Sequence, residues 1–155
     1  MRSRRLLPLA AVLAAAALAG CGGDDSPSAE DARASYESVQ QRLQDLGRDI
    51  GREIQDARNQ TDARLERAFD QLQQRADEAT EQLRDLDVPG DLADERDALR
   101  DAIERGADSL GEIVQAVRDA DVAAAGQAAQ DLVTDSEAIR TARQEFERAL
   151  DDATR

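Results

Sequence analysis

The sequence predicts an all-α protein, a bundle of long amphipathic helices. Apolar side chains recur at intervals of three and four residues from residue 29 almost to the end of the chain, which is the spacing of one helix face. No stretch alternates between apolar and polar residues, and aromatic residues make up only 2% of the chain, so the sequence contains no candidate strand.

Composition by itself points in two directions. Ala, Glu, Leu and Arg supply about 47% of residues 21–155, which favours long helices. Leu, Ile, Val and Phe supply only about 18% of the same residues, which favours disorder when the net charge is strong. Composition therefore does not distinguish long helices from a disordered chain. The sustained helical period is the deciding observation, and it favours folded helices.

The first predicted helix covers residues 29–86. Its apolar positions advance by a mean of about 3.6 residues, which is the period of a straight α-helix and not the 3.5 of a supercoiled one. The N-terminal half of this apolar face, which we call the α1 stripe, consists of Tyr36, Val39, Leu43, Leu46, Ile50 and Ile54.

Two architectures fit this segment. A single helix would be about 85 Å long, twice the length of the helices that follow, and its first half would extend beyond a three-helix bundle with the α1 stripe bare. We then expect that stripe to bind a protein partner or a second copy of the chain. A break near residues 59–62 would instead give a four-helix up-down bundle that buries the stripe. Asn59, Thr61 and Asp62 are suitable cap residues, but no glycine or proline enforces a break, so the continuous helix is favoured.

A turn ends this first helix. Pro89 pushes the preceding residue out of helical geometry, and Gly90 allows a tight turn. Asp91 is placed to cap a second helix, predicted for residues 92–118. The apolar positions on one side of that helix are Leu92, Leu99, Ile103, Leu110, Ile113, Val114 and Val117.

A second turn, over residues 119–121, precedes the third helix. Asp121 is placed to cap it, and the helix is predicted for residues 122–152. Its inward positions are Val122, Ala125, Ala129, Leu132, Val133, Ile139, Phe146 and Leu150. Ser136 and Arg143 interrupt this stripe, and the arginine can keep its guanidinium in water while its stem covers apolar neighbours.

The first 20 residues have the build of an export signal. Arg2, Arg4 and Arg5 precede an apolar run over residues 6–19. That run is shorter than the ~20 apolar residues that a helix needs to cross a bilayer. We therefore expect residues 1–20 to act as a signal peptide.

The signal ends in Leu18, Ala19, Gly20 and Cys21. Leu-Ala-Gly-Cys resembles the lipobox of bacterial lipoproteins, which implies cleavage between Gly20 and Cys21 and a diacylglycerol on the Cys21 thiol. Cys21 is the only cysteine, so no intrachain disulfide can form. Residues 22–28 are Gly, Asp, Ser and Pro, which is typical of a flexible tether.

The chain therefore divides into a signal peptide over residues 1–20, a lipidated cysteine and tether over residues 21–28, and a helical domain over residues 29–155. The lipid anchor implies a place on the extracytoplasmic face of the cell membrane. The helix order and the turn between the first two predicted helices also resemble small helical lipoproteins of actinobacteria. The residues of that turn are Leu83, Leu86, Val88, Pro89 and Leu92.

Charge and residue content exclude several classes of function. The formal net charge is −14, which repels phosphate, so we predict no nucleic-acid partner. The chain has no histidine, which removes hydrolase triads and most zinc sites. A calcium-like loop beginning at Asp85 has Pro89 and Arg96 at positions that need ligands. We therefore predict no enzyme activity, no metal site and no cofactor.

Three functional hypotheses remain. The favoured one is a membrane-anchored structural or protein-binding module, in which the α1 stripe takes a partner helix. The alternative is a small ligand-binding or sensor lipoprotein with a pocket between helices, for which the many alanines between residues 123 and 129 leave volume. The third is a disordered, stress-protectant-like surface chain.

Overall fold

Four α-helices make up nearly all of the part of the chain that the structure describes. This structure, a computed structural model, describes residues 27–155 apart from the side chain of Arg58. The helices are α1 (Ala29–Asp56), α2 (Asp62–Arg84), α3 (Ala93–Arg118) and α4 (Val122–Ala153), with short 3₁₀ turns at Ala57–Asn59 and Gly90–Leu92. No strand occurs within residues 27–155, and the predicted all-α class is confirmed.

The helices run alternately up and down. Arg33, near the start of α1, forms an ion pair with Asp151, near the end of α4. Arg118, the last residue of α3, contacts Glu66 at 2.7 Å and Asp70 at 3.2 Å, both near the start of α2. Because each of these contacts joins the start of one helix to the end of another, neighbouring helices are antiparallel. The result is an up-down-up-down four-helix bundle.

The segment predicted as one long helix forms two. α1 ends at Asp56 and α2 begins at Asp62, and between them the backbone is extended at Gln60 (φ −108°, ψ 160°) and Thr61 (φ −84°, ψ 151°). The continuous helix favoured by the apolar period is not formed, and the four-helix alternative is observed. Thr61 holds the N-cap position of α2 without a side-chain hydrogen bond, so the local sequence does not enforce this break.

Burial of the α1 stripe explains the break. Five of its six side chains are at most 8% exposed, because the chain folds back and α2, α3 and α4 cover them. Fully burying one such side chain contributes ~1.5–3 kcal/mol, whereas each backbone hydrogen bond lost at a helix end costs ~1 kcal/mol net. A bundle that covers the stripe is therefore favoured over a straight helix that exposes it.

The core runs the length of the bundle, with two exceptions to the predicted inward positions. The largest fully buried side chains are Leu83, Leu99, Ile103, Leu110, Leu132, Phe146 and Leu150. Val122 is 85% exposed because it is the first residue of α4 and lies at the end of the bundle. Val133 is 54% exposed because the ~100° rotation per residue turns it away from the core that Leu132 enters.

The two predicted caps have different outcomes. The carboxylate of Asp121 accepts from the backbone N–H groups of Ala123 at 3.1 Å and Ala124 at 3.0 Å, so this cap is confirmed. Asp91 does not cap α3. It lies inside the second 3₁₀ turn, and Leu92 holds the N-cap position without a side-chain bond.

Candidate functional site

The α1 stripe, which the sequence offers as a partner-binding surface, lies inside the bundle. Tyr36 packs edge-on against Phe146 of α4, with ring centroids 4.9 Å apart and an angle of 87° between the ring planes. Ile54, at the other end of the stripe, is half-buried against the same core. The stripe is therefore not bare, as the continuous helix required, because the other three helices occupy the face that a partner helix would take.

An apolar cavity of about 70 Å³ lies at the centre of the bundle. Its lining is apolar apart from Ser136, whose hydroxyl donates to the carbonyl oxygen of Leu132 at 2.7 Å. An apolar cavity of ~150 Å³ stays dry and binds benzene, so a void half that size can accept part of an alkyl chain. The lining residues are Leu43, Leu46, Gly47, Ile50, Ala76, Ile103, Gly106, Leu110, Leu132, Ser136 and Ile139.

A surface groove of about 450 Å³ lies between α1 and α4, directly outside this cavity. The groove and the cavity share four lining residues, which we call the neck: Leu43, Gly47, Ser136 and Ile139. A molecule in the groove therefore meets the cavity at the neck. Groove, neck and cavity together form what we call the α1–α4 site.

All charged side chains that line the groove are arginines. They are Arg48 from α1 and Arg140 and Arg143 from α4. Arg48 is tightly paired with Asp45, one turn earlier in the same helix. Each of the three arginines has a carboxylate within 4 Å on its own helix.

Arg140 and Arg143 are only loosely paired. Arg140 lies 3.6 Å from Glu137, and Arg143 lies 3.6 Å from Glu147, both too far for a hydrogen bond. Glu147 instead accepts a hydrogen bond from Gln40 at 2.8 Å. The Nε of Arg143 is buried and has no hydrogen-bond partner among the described residues.

Gly47 leaves the neck open. A Cβ atom added to Gly47 would meet nothing within 4 Å, so packing within the chain does not require a glycine there. A glycine inside a helix costs ~1 kcal/mol relative to alanine. Gly106, which also lines the cavity, differs, since its Cβ would come 3.1 Å from the Cδ1 of Ile139.

The buried tyrosine of the α1 stripe is not equipped for acid-base chemistry. Burial raises the pKa of Tyr36 far above its ordinary value, and the negative charge of Glu147 raises it further, while Arg143 lowers it. The hydroxyl of Tyr36 has no hydrogen-bond partner within residues 27–155. Tyr36 therefore stays neutral at physiological pH and acts as a core residue.

The facing sides of α2 and α3 carry an acidic ridge. Partial burial raises the pKa of Asp77, and the like charges of Asp108, Glu81 and Glu104 raise it further. Nowhere in residues 27–155 do three or more His, Cys, Asp or Glu side chains form a group that could hold a metal ion. The ridge is therefore a region of charge repulsion and not a metal centre.

We expect Asp77→Asn to stabilise the folded protein at pH 7. Since the pKa of Asp77 is raised on folding, its ionisation opposes folding above that pKa, and the penalty disappears as the pH falls through it. Asp49 acts in the opposite sense, because its hydrogen bond from Arg75 lowers its pKa, so its contribution is lost only at more acidic pH.

The expected gain from Asp77→Asn is small, within about 0.5 kcal/mol, and it should shrink in 1 M salt (roughly a 3 Å screening length). Thermal melts at several pH values measure it. Glu78→Gln removes the same charge from the neighbouring position of α2 and serves as the control. Equal effects of the two substitutions, or no change with salt, would contradict a role for the ridge.

The remaining predicted site residues, Gly20 and Cys21, lie outside the described residues. Within the bundle, the sequence did not identify the site between α1 and α4, although it carried two signals. Ser136 and Arg143 interrupt the α4 stripe, and Gly47 is a glycine inside a helix. All three line the groove, but only the fold brings them together.

No described helix combines the length and the apolarity needed to cross a membrane. Comparison with protein-family models, curated proteins and solved structures found no match to the chain.

Proposed function

We propose that this protein is a surface lipoprotein, held by an acylated Cys21 on the extracytoplasmic face of the cell membrane, whose helical bundle binds a small ligand with an apolar part. The α1–α4 site is the observation that supports ligand binding. The ligand-binding hypothesis is preferred to the partner-helix hypothesis, because the α1 stripe is buried within the chain. The packed core favours the ligand-binding and partner-helix hypotheses over the hypothesis of a disordered surface chain.

The dimensions of the site suit a small molecule. Ligand pockets usually measure ~300–1,000 Å³. The groove of about 450 Å³ falls within this range, and the apolar lining comes from the cavity that it meets at the neck.

The fold is compatible with an anchor at Cys21. The start of α1 and the end of α4 lie together, since Arg33 donates to the hydroxyl of Thr154 at 3.2 Å. A tether over residues 22–28 would reach up to ~25 Å from the anchor. Gly47 stands ~27 Å further along α1, so the groove would be clear of the lipid headgroups when α1 points away from the membrane.

Protein binding is a second candidate, supported by a different surface. An apolar groove of about 540 Å³ lies at the opposite end of the bundle from the tether, and the exposed Val122 is beside it. Its other large apolar lining residues are Ile54, Leu65, Phe69, Ile113 and Val117. A protein partner or a second copy would meet this end first. In-cell crosslinks formed from position 122, and not from the exposed position 41, would support this candidate.

Binding of decan-1-ol, an uncharged single-chain probe, tests the ligand-binding function. The protein is used without residues 1–21, so that it keeps every described residue and its whole core but carries no acyl chain. We expect saturable changes in the methyl NMR signals of Leu43 and Ile139, because both line the neck. The methyl signals of Val122 should not change.

Gly47→Leu should weaken decan-1-ol binding about tenfold or more, because the new side chain occupies the neck. Gly51→Leu is the matched control. A Cβ at Gly51 also meets nothing within 4 Å, and Gly51 lines neither the groove nor the cavity. If the wild type gives no saturable change at the neck, or if both variants bind equally well, the ligand-binding proposal fails.

A further inference from the structure

We infer that the α1–α4 site binds a single-chain anionic amphiphile, with the alkyl chain at the neck and the headgroup on Arg140 and Arg143. This inference rests on the proposed ligand-binding function and names the class of ligand. It starts from the contrast between the two parts of the site. The cavity lining is apolar apart from Ser136, while every charged residue of the groove lining is an arginine.

The pairing of the arginines indicates which of them hold the headgroup. Of the three arginines that line the groove, Arg48 is tightly bonded to Asp45 and is therefore already satisfied. Among the ion pairs within residues 27–155, those of Arg140 and Arg143 have the longest N–O distances, 3.6 Å each. Both of these arginines line the groove.

Arg143 is only partly satisfied within the chain. Its buried Nε makes no hydrogen bond within residues 27–155 and lies 3.6 Å from Glu147, which also accepts from Gln40 at 2.8 Å. The Arg143 side chain is 25% exposed, so the outer part of its guanidinium faces the groove. A carboxylate or phosphate headgroup can accept from the two Nη groups of a guanidinium through two parallel bonds.

The acidic surface of the protein does not prevent this binding. At physiological ionic strength, charges more than ~8 Å apart are largely screened from each other, so the acidic groups that compete with the headgroup are the loose partners of the two arginines, Glu137 and Glu147. The same net charge of −14 opposes docking of the whole bundle onto an anionic bilayer. The site is therefore suited to a single amphiphile and not to a membrane surface.

The inference is tested with three probes that share a ten-carbon chain: decanoate, decan-1-ol and decyltrimethylammonium. The protein again lacks residues 1–21, and the Leu43 and Ile139 methyl signals are the readout. The two charged probes are titrated below their micelle concentrations and decan-1-ol below its solubility limit in water. We expect decanoate to bind roughly fivefold to tenfold more tightly than decan-1-ol, the range of a partly exposed ion pair. Decyltrimethylammonium should bind no more tightly than decan-1-ol at the neck.

Substitution of the two arginines separates the headgroup from the chain. Arg140→Gln with Arg143→Gln should remove the preference for the anion, so that decanoate and decan-1-ol bind the variant with the same affinity. Arg148→Gln removes one exposed positive charge from α4 outside the groove. This control should change neither the decanoate affinity nor the decan-1-ol affinity. The heteronuclear NMR spectrum of each variant shows whether the bundle is still folded.

The possible outcomes distinguish the inference from the function on which it rests. Saturable decan-1-ol binding that Gly47→Leu abolishes, without any preference for decanoate, would overturn the anionic headgroup and leave ligand binding intact. A double variant that weakens decanoate and decan-1-ol equally would also overturn it. Failure of all three probes to bind at the neck would overturn both.

Discussion

Replacing Cys21 with alanine is expected to abolish lipid attachment and cleavage before residue 21. The resemblance of Leu18-Ala19-Gly20-Cys21 to a lipobox places the acyl chains on the Cys21 thiol, and alanine offers no sulfur. Each buried methylene contributes ~0.8 kcal/mol to membrane binding, so two acyl chains are enough for stable anchoring. The variant should therefore carry no acyl mass and remain as the longer precursor.

Mass spectrometry and metabolic labelling with a fatty acid measure both effects. Ser26→Ala changes the tether without touching the cysteine, and its acylation and processing should match the wild type. Native protein found in the culture supernatant with an unmodified Cys21 would rule out the lipid anchor. The ligand-binding proposal does not depend on this result, since the α1–α4 site lies wholly within residues 27–155.

Replacing Ile50 with aspartate is expected to destabilise the whole bundle by ~3–5 kcal/mol. Ile50 is 8% exposed and packs in the common core, so the substitution removes a buried apolar side chain and places a carboxylate beside the apolar cavity. Domains of this size are stable by only ~5–15 kcal/mol. The variant should unfold in one transition at a much lower urea concentration.

The same substitution distinguishes the two architectures that the sequence allows. If α1 and α2 formed one straight helix, Ile50→Asp would affect self-association or partner binding and leave the bundle of residues 62–152 nearly unchanged. Gln41→Asp, at an exposed position of α1, is the control and should have little effect. Ile50→Val provides a milder core change, expected to cost ~0.5–1.5 kcal/mol. Solution scattering should show a compact monomer for the wild type.

Much of the fold could be predicted from local patterns. The bounds predicted for the last two helices agree with α3 and α4 to within one residue at each end, because a turn precedes each of them. Asp121 caps α4 as its position suggested. Where the local signal was weaker, as at Asp91, the cap did not form, since the chain used a 3₁₀ turn instead.

The candidate site was much less predictable than the helices. Gly47 and Arg143 are separated by 96 positions in the sequence, and each has an ordinary explanation on its own helix, a weak helix former and a solvated charge. Only the antiparallel pairing of α1 with α4 places them on one groove. The buried and unpartnered Nε of Arg143 is likewise a property of packing and not of spacing.

The sequence by itself determined the helical class, the apolar face of each helix and the turn that precedes α4, because these depend on residues close together in the chain. It also carries the lipobox-like motif ending at Cys21, which implies the anchor. Only the tertiary structure decided that α1 and α2 separate near residues 57–61 and that the α1 stripe is buried. The apolar period runs undisturbed through that break, so no local signal distinguishes the two architectures. The difference in free energy comes from the packing of α1 against α2, after the chain folds back, and against α4, which lies far away in the sequence.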